Sequence, residues 1–264
     1  MSKFLYTGPH KTYPPFGRCI YCGATDNLSD EHIIPYALGG NVILPKASCP
    51  KCSDITRAVE ETCCRPILGP LRVRLNLQTR RKKERPSHFN LPIIGSNGPK
   101  TIQIPSTAYP VVCIGMKLDP PRMTQGLPLS SRVTGQLFAK YNPTHHQNLL
   151  RPGEITNIGK FMLEPFGRMI AKIGHAHVMA AMANAGTLPK QEDLFLPSII
   201  LDKSPYFQHY VGGDKYPLDS ADALHQLRFN RYVFGGRKIL VSTVRLFACF
   251  GMPRYHVIAC YEPR

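Results

Sequence analysis

Two pairs of cysteines constrain this chain more than any other feature. Cys19-Ile-Tyr-Cys22 and Cys49-Pro-Lys-Cys52 each set two thiols on one tight turn, with residues 23–48 between the pairs. Two such pairs complete a tetrahedral thiolate shell, so the spacing predicts one structural Zn2+ held by Cys19, Cys22, Cys49 and Cys52; the competing reading is four reduced, buried thiols. Gly23, directly after the first pair, suits the positive backbone φ of a knuckle turn. The chain has nine cysteines, an odd number, and residues 1–17 hold no apolar core of signal-peptide length. Disulfides are therefore a poor account, and a cytoplasmic chain with reduced thiols is expected. Cys63, Cys64, Cys113, Cys249 and Cys260 read as small core residues.

The spacer is longer than the roughly 15–20 residues of the simplest zinc ribbon, so a small motif must fit inside it. It contains Leu28-Ser-Asp-Glu-His-Ile-Ile-Pro35 and then Gly39-Gly40. Asp30, Glu31 and His32 put two carboxylates beside an imidazole. A neutral imidazole takes a proton from water near neutral pH, and a hard divalent cation prefers oxygen ligands such as Glu31. An acidic loop with a surface histidine is the plainer alternative. In an ideal strand Glu31 and His32 point to opposite faces. If both serve one site, the strand must bulge or end there, and Pro35 with Gly39-Gly40 makes an irregular end plausible.

A helix is predicted after Cys52. Ile55, Ala58, Val59, Thr62 and Cys63 fall on one face, and Pro66 lies just beyond its end. Ser53 faces away from that stripe, on the side of Arg57, Glu60 and Glu61, and Asp54 is adjacent. Ser53 and Asp54 read either as helix caps or as oxygen ligands for a second metal ion.

Taken together, Cys19-x2-Cys22, Asp30-Glu31-His32-Ile33-Ile34-Pro35, Gly39-Gly40, Cys49-x2-Cys52 and a helix closely resemble the HNH endonucleases, in the branch with four zinc-binding cysteines. The resemblance covers about residues 15–65. It implies a ββα-metal core related to the treble clef, and hydrolysis of phosphodiester bonds in nucleic acid, usually DNA, with one divalent ion such as Mg2+. By that resemblance His32 is the catalytic general base and Glu31 the acidic metal ligand. Ser53 stands where the family usually carries Asn or His as its second metal ligand, with Asp54 the neighbouring candidate. Leu44 occupies the usual place of a bracing asparagine, for which Asn41 is the nearest candidate. The alternative, from a different functional class, is a non-catalytic zinc-stabilised module that binds nucleic acid. The Glu31-His32 pair with an oxygen ligand at the helix start separates the two.

Charge agrees with a polyanionic partner. Lys and Arg number 33 against 17 Asp and Glu, a formal charge of +16. The densest run holds Arg72, Arg74, Arg80, Arg81, Lys82, Lys83 and Arg85, read as nucleic-acid-binding together with Arg57, or else as a solvated tether. No run of apolar residues is long enough to span a membrane, so no membrane partner is expected. The expected organisation is a zinc-binding nuclease domain over 1–85, a linker over 86–100, and an α+β domain over 101–264. Prolines recurring from Pro86 to Pro128 suggest irregular chain with short edge strands. Phe166, Met169, Ile170, Ile173, His177 and Ala180 recur at helical spacing after Pro165, which predicts a long helix with His177 in its core face. His225–Phe234, Lys238–Phe250 and Arg254–Tyr261 read as a C-terminal antiparallel meander turning at Gly235-Gly236.

Overall fold

The computed structural model describes residues 11–65, 68–79, 82–95, 98–142, 155–156, 161–214 and 219–263. The protein is α+β. Its N-terminal part is a three-stranded sheet, in which β1 (Lys11–Thr12) pairs parallel with β3 (Val42–Ser48) and β2 (Ser29–His32) pairs antiparallel with β3. Helix α1 (Pro50–Cys64) and short α2 (Gly69–Arg74) follow. Proline at the first position of α1 loses no helical hydrogen bond there. Cys49 occupies the N-cap position, so Ser53 and Asp54 lie inside the helix and do not cap it.

Residues 86–100, expected as a linker within irregular chain carrying short edge strands, hold β4 (His88–Gly95) and the start of β5 (Gly98–Pro105). These two strands form an antiparallel hairpin, followed by a second ribbon of β6 (Val111–Leu118) and β7 (Gly135–Asn142). The short β8 (Ile155–Thr156) adds to β4, so β5 is an edge strand. Edge positions tolerate proline, which is how Pro99 and Pro105 sit inside regular strand.

Helix α3 (Leu163–Asn184) is the centre of the molecule. It packs on α1 on one side and on the C-terminal sheet on the other. The spacing of its apolar residues predicts one buried stripe, but the helix is buried all round from Phe166 to Ala180 because it has a layer on each side. After α4 (Pro197–Asp202) and α5 (Phe207–Tyr210) comes the expected meander: β10 (Gln226–Phe234), β11 (Arg237–Arg245) and β12 (Tyr255–Tyr261). Gly235 and Gly236 have φ of 57° and 74°, the two left-handed residues that a tight hairpin turn requires. The sheet gains β9 (Val211–Gly213) beside β12, a strand too short for sequence pattern to reveal. The main hydrophobic core runs without a break from Phe16 through α3 to Cys260, while Leu91, Ile93, Ile104 and Tyr109 form a small separate core under the β4–β5 hairpin. All nine cysteines are free thiols, and Cys63, Cys64, Cys113, Cys249 and Cys260 are buried, as expected of core residues. No helix among the described residues is long and apolar enough to cross a membrane.

Three histidines, His175 and His177 buried and His225 half-buried, cross-link these layers. His175 bonds through Nε2 to the Ile20 carbonyl at 2.7 Å, and His177 Nδ1 meets Ser242 Oγ at 2.8 Å. His225 accepts from the Phe247 amide at Nδ1 and meets the Leu38 carbonyl through Nε2. Burial lowers each of the three to about 4. A histidine with a folded pKa below its unfolded value of about 6.5 binds its proton in the unfolded chain first. Its stability contribution is therefore complete above about pH 6.5 and is lost as pH falls towards 4. We predict that urea-unfolding stability falls from about pH 7 to pH 5 and that His177→Gln flattens this dependence by about one proton. An unchanged slope in the variant would contradict the assignment.

Candidate functional site

The four cysteines converge. The Sγ atoms of Cys19, Cys22, Cys49 and Cys52 all lie within 4.8 Å of one another, and Cys22 Sγ is 3.6 Å from Cys49 Sγ. A tetrahedral zinc with bonds of about 2.3 Å to sulfur needs sulfurs about 3.8 Å apart, so the donor set fits structural zinc. The first pair sits on a knuckle in which Cys19 N donates to Ala24 O and Gly23 N to Cys19 O. The second pair opens α1. The cluster therefore fixes where that helix begins and how it is rotated. Its buried residues are Cys52, Thr56, Val59, Cys63 and Cys64, whereas Ala58 is exposed and Ile55 and Thr62 are half-buried. The predicted apolar stripe is thus turned around the axis, because Cys52 is held at the cluster while α3 covers the other side.

Strand β2 ends at His32. Its register with β3 shifts between Ser29 and Glu31, and β3 bends at Lys46, whose φ is 51°. The chain then makes a single 3-10 turn over Tyr36–Leu38. Gly40 closes this turn against Ile34, where a Cβ would lie 1.9 Å from the Ile34 carbonyl oxygen, so only glycine fits. Bulge and strand end together allow both Glu31 and His32 to line one open cleft of about 660 Å3. Asp30, Tyr36 and Ser53 line the same cleft, and the Tyr36 ring lies edge-on to His32 with centroids 5.6 Å apart. Asp54 is not on its wall; it is exposed and pairs with Arg57 at 2.9 Å. Leu44 is buried in β3 opposite Glu31, and Asn41 precedes that strand.

Two residues that the sequence reading did not assign to the site, Lys172 and Glu60, form one charge cluster with Glu31. Lys172 of α3 reaches Glu31 Oε1 at 2.5 Å and Glu60 Oε1 at 2.8 Å. It also donates to the His32 carbonyl oxygen. Burial pulls the Lys172 ammonium towards neutrality, but the two carboxylates outweigh burial and hold it above the usual lysine value. Burial raises Glu31; the Lys172 charge opposes that rise, and the Glu60 charge adds to it. Glu60 was expected on an exposed helix face, and the rotation of α1 turns it towards α3. The available signal was Lys172 itself, the one charged side chain from Met169 to Asn184 in an otherwise apolar helix. A buried lysine requires anionic partners.

The cleft wall is mixed in charge, with Asp30, Glu31, Glu60, Glu61 and Glu84 standing beside four arginines. These are Arg57, Arg65, Arg72 and Arg85, and Arg65 was not foreseen. Arg72 donates through Nε to Ala37 O at 2.6 Å and through Nη1 to Cys64 O at 3.0 Å, while Arg85 donates to Asn76 Oδ1 and Leu77 O. Among the described residues, Arg57 and Arg65 pair with exposed carboxylates, Asp54 and Glu61. Such surface pairs are weak, which leaves these two guanidinium groups available to a phosphate. Arg74 is half-buried off the cleft and Lys83 is exposed. Arg80, Arg81 and the side chain of Lys82 lie outside the described residues.

With this geometry in place, comparison with known proteins is specific about one segment. Residues 19–65 match the model of the HNH endonuclease family, a span that begins at the first zinc-type cysteine and ends just past α1. Neither a curated protein nor a solved structure gives a significant match to the chain.

We predict near-stoichiometric zinc in purified protein, lost in Cys49→Ser together with the order of residues 15–65, because metal binding and local folding are one equilibrium. Full zinc retention in a variant lacking two of the four thiols would overturn the assignment.

Proposed function

We propose that the protein is a metal-dependent endonuclease that hydrolyses phosphodiester bonds in nucleic acid, with DNA as the first substrate to test. The observation that carries this reading is the pair Glu31 and His32 at a strand end, open to the same cleft as Ser53 on the thiol-anchored helix. A divalent ion such as Mg2+ or Mn2+, when bound, supplies a Lewis acid for the scissile phosphate. Such ions keep several waters and need only one or two protein oxygens, which suits the Glu31 carboxylate and the Ser53 hydroxyl, with Asp54 as the further candidate. His32 accepts the proton of the attacking water through its imidazole. Arg57 and Arg65 hold flanking phosphates at the cleft rim, and Arg72 and Arg85, which line the same cleft, add positive charge there. The zinc at Cys19, Cys22, Cys49 and Cys52 takes no part in the chemistry.

One observation favours the second reading, a non-catalytic zinc-stabilised nucleic-acid-binding module: Glu31 already pairs with Lys172. Cleavage assays separate the two. His32→Ala should lower the cleavage rate about 100- to 10,000-fold with zinc content and nucleic-acid affinity nearly unchanged. Glu31→Ala should also be inactive, with partial rescue by excess Mn2+ that His32→Ala does not share. A homogeneous His32→Ala preparation cleaving at the wild-type rate would refute the mechanism and favour the binding module.

The rim makes a separate prediction. Replacing Arg57 and Arg65 by Gln should weaken binding similarly across sequences and flatten the slope of log K against log salt by up to about 0.9 per residue. An unchanged slope would remove these residues from the binding surface.

A further inference from the structure

The Lys172 ammonium has three N–H donors, and the structure gives it three acceptors: Glu31 Oε1, Glu60 Oε1 and the His32 carbonyl oxygen. Glu31, Glu60 and His32 all line the cleft, whereas Lys172 does not. The ammonium therefore sits behind the carboxylates, on the α3 side, and it is buried. No comparable cation backs Ser53 among the contacts of the described residues.

We infer that Lys172 sets the cation affinity of the Glu31 site, holding it low for a free divalent ion so that the ion is taken up together with the substrate phosphate. This rests on the reading of Glu31 as a metal ligand given above. The effect is electrostatic. A divalent ion approaching Glu31 from the cleft meets a carboxylate whose charge is already shared with a fixed ammonium on its far side. The ion and the ammonium are like charges with little water between them, so their repulsion is weakly screened. Two carboxylates and one ammonium leave a single net negative charge for a doubly charged ion. A phosphate entering with the ion supplies the missing negative charge, and Arg57 and Arg65 at the rim receive the remainder of the backbone. Lys172 is thus a positioning residue in this account, since it acts through Glu31 and touches no substrate.

The test is a titration of the zinc-loaded, full-length protein with Mn2+ in the absence of nucleic acid, followed by the electron paramagnetic resonance signal of the free ion. Lys172→Met should bind one Mn2+ beyond the zinc at least about ten-fold more tightly than wild type, and adding Glu31→Gln should abolish the gain. Damage to the fold lowers affinity, so a gain is a result that a merely structural role does not produce. Equal or weaker binding in Lys172→Met, or a gain that survives Glu31→Gln, overturns the inference. Should Lys172→Met fail to fold, Glu60→Gln leaves Lys172 paired with Glu31 alone and should weaken Mn2+ binding at least about three-fold; unchanged affinity overturns the inference equally. Ion-dependent cleavage by wild type with no gain in Lys172→Met removes this inference and leaves the nuclease reading standing. Absence of any ion-dependent cleavage by wild type removes both.

Discussion

A lysine ammonium buried in an apolar helix must find negative charge, and that requirement organises the centre of this protein. Lys172 draws Glu31 of β2 and Glu60 of α1 onto one nitrogen and takes the His32 carbonyl as its third acceptor. Removing one partner of such a group leaves an uncompensated buried charge, an arrangement that costs about 3–5 kcal/mol. The contact spans 140 residues of sequence and ties the cleft strand to the helix at the core of the C-terminal part. The segment that matches the HNH endonucleases is thereby completed by a side chain from far outside it.

The thiol cluster supplies the other fixed point. A chain of this segment's length has little room for a core of its own, and a metal ion offsets that deficit. Because Cys49 caps α1 and Cys52 lies in its first turn, the cluster sets both the start and the rotation of the helix. The rotation in turn decides which residues face the cleft: Ser53, Arg57, Glu60 and Glu61 do, and Asp54 does not. His175 joins the knuckle to α3 through the Ile20 carbonyl, and Gln191, in the 3-10 turn that follows α3, donates to Tyr21 O of the same knuckle. The small metal-type motif and the large apolar core are therefore mechanically continuous.

Sequence disclosed the parts of this arrangement whose cause is local. The C-x2-C spacing, the Glu31-His32 pair, the glycine turn at 235–236 and the long helix after Pro165 each follow from nearby residues, and each has its counterpart in the structure. What stayed hidden depends on distant pairing. Glu60 reads as a solvated helix charge until Lys172 is known to face it. The β4–β5 hairpin is masked by Pro92 and Pro99, which argue locally against strand. Strand β9 has three residues and forms only because β12 offers it an edge. The face of α1 was misjudged because hydrophobicity alone does not register an anchor at Cys52.

The central claim is that Glu31 and His32 form an ion-assisted phosphodiester site in the cleft. The most direct measurement is anomalous diffraction at the manganese edge from crystals of the His32→Ala protein soaked with Mn2+ and a short DNA. The account predicts a manganese peak within about 2.2 Å of a Glu31 carboxylate oxygen, with a DNA phosphate on the same ion and zinc alone at the four thiols. DNA bound in the cleft with no ion at Glu31, or manganese found elsewhere with Glu31 still closed on Lys172, would contradict it.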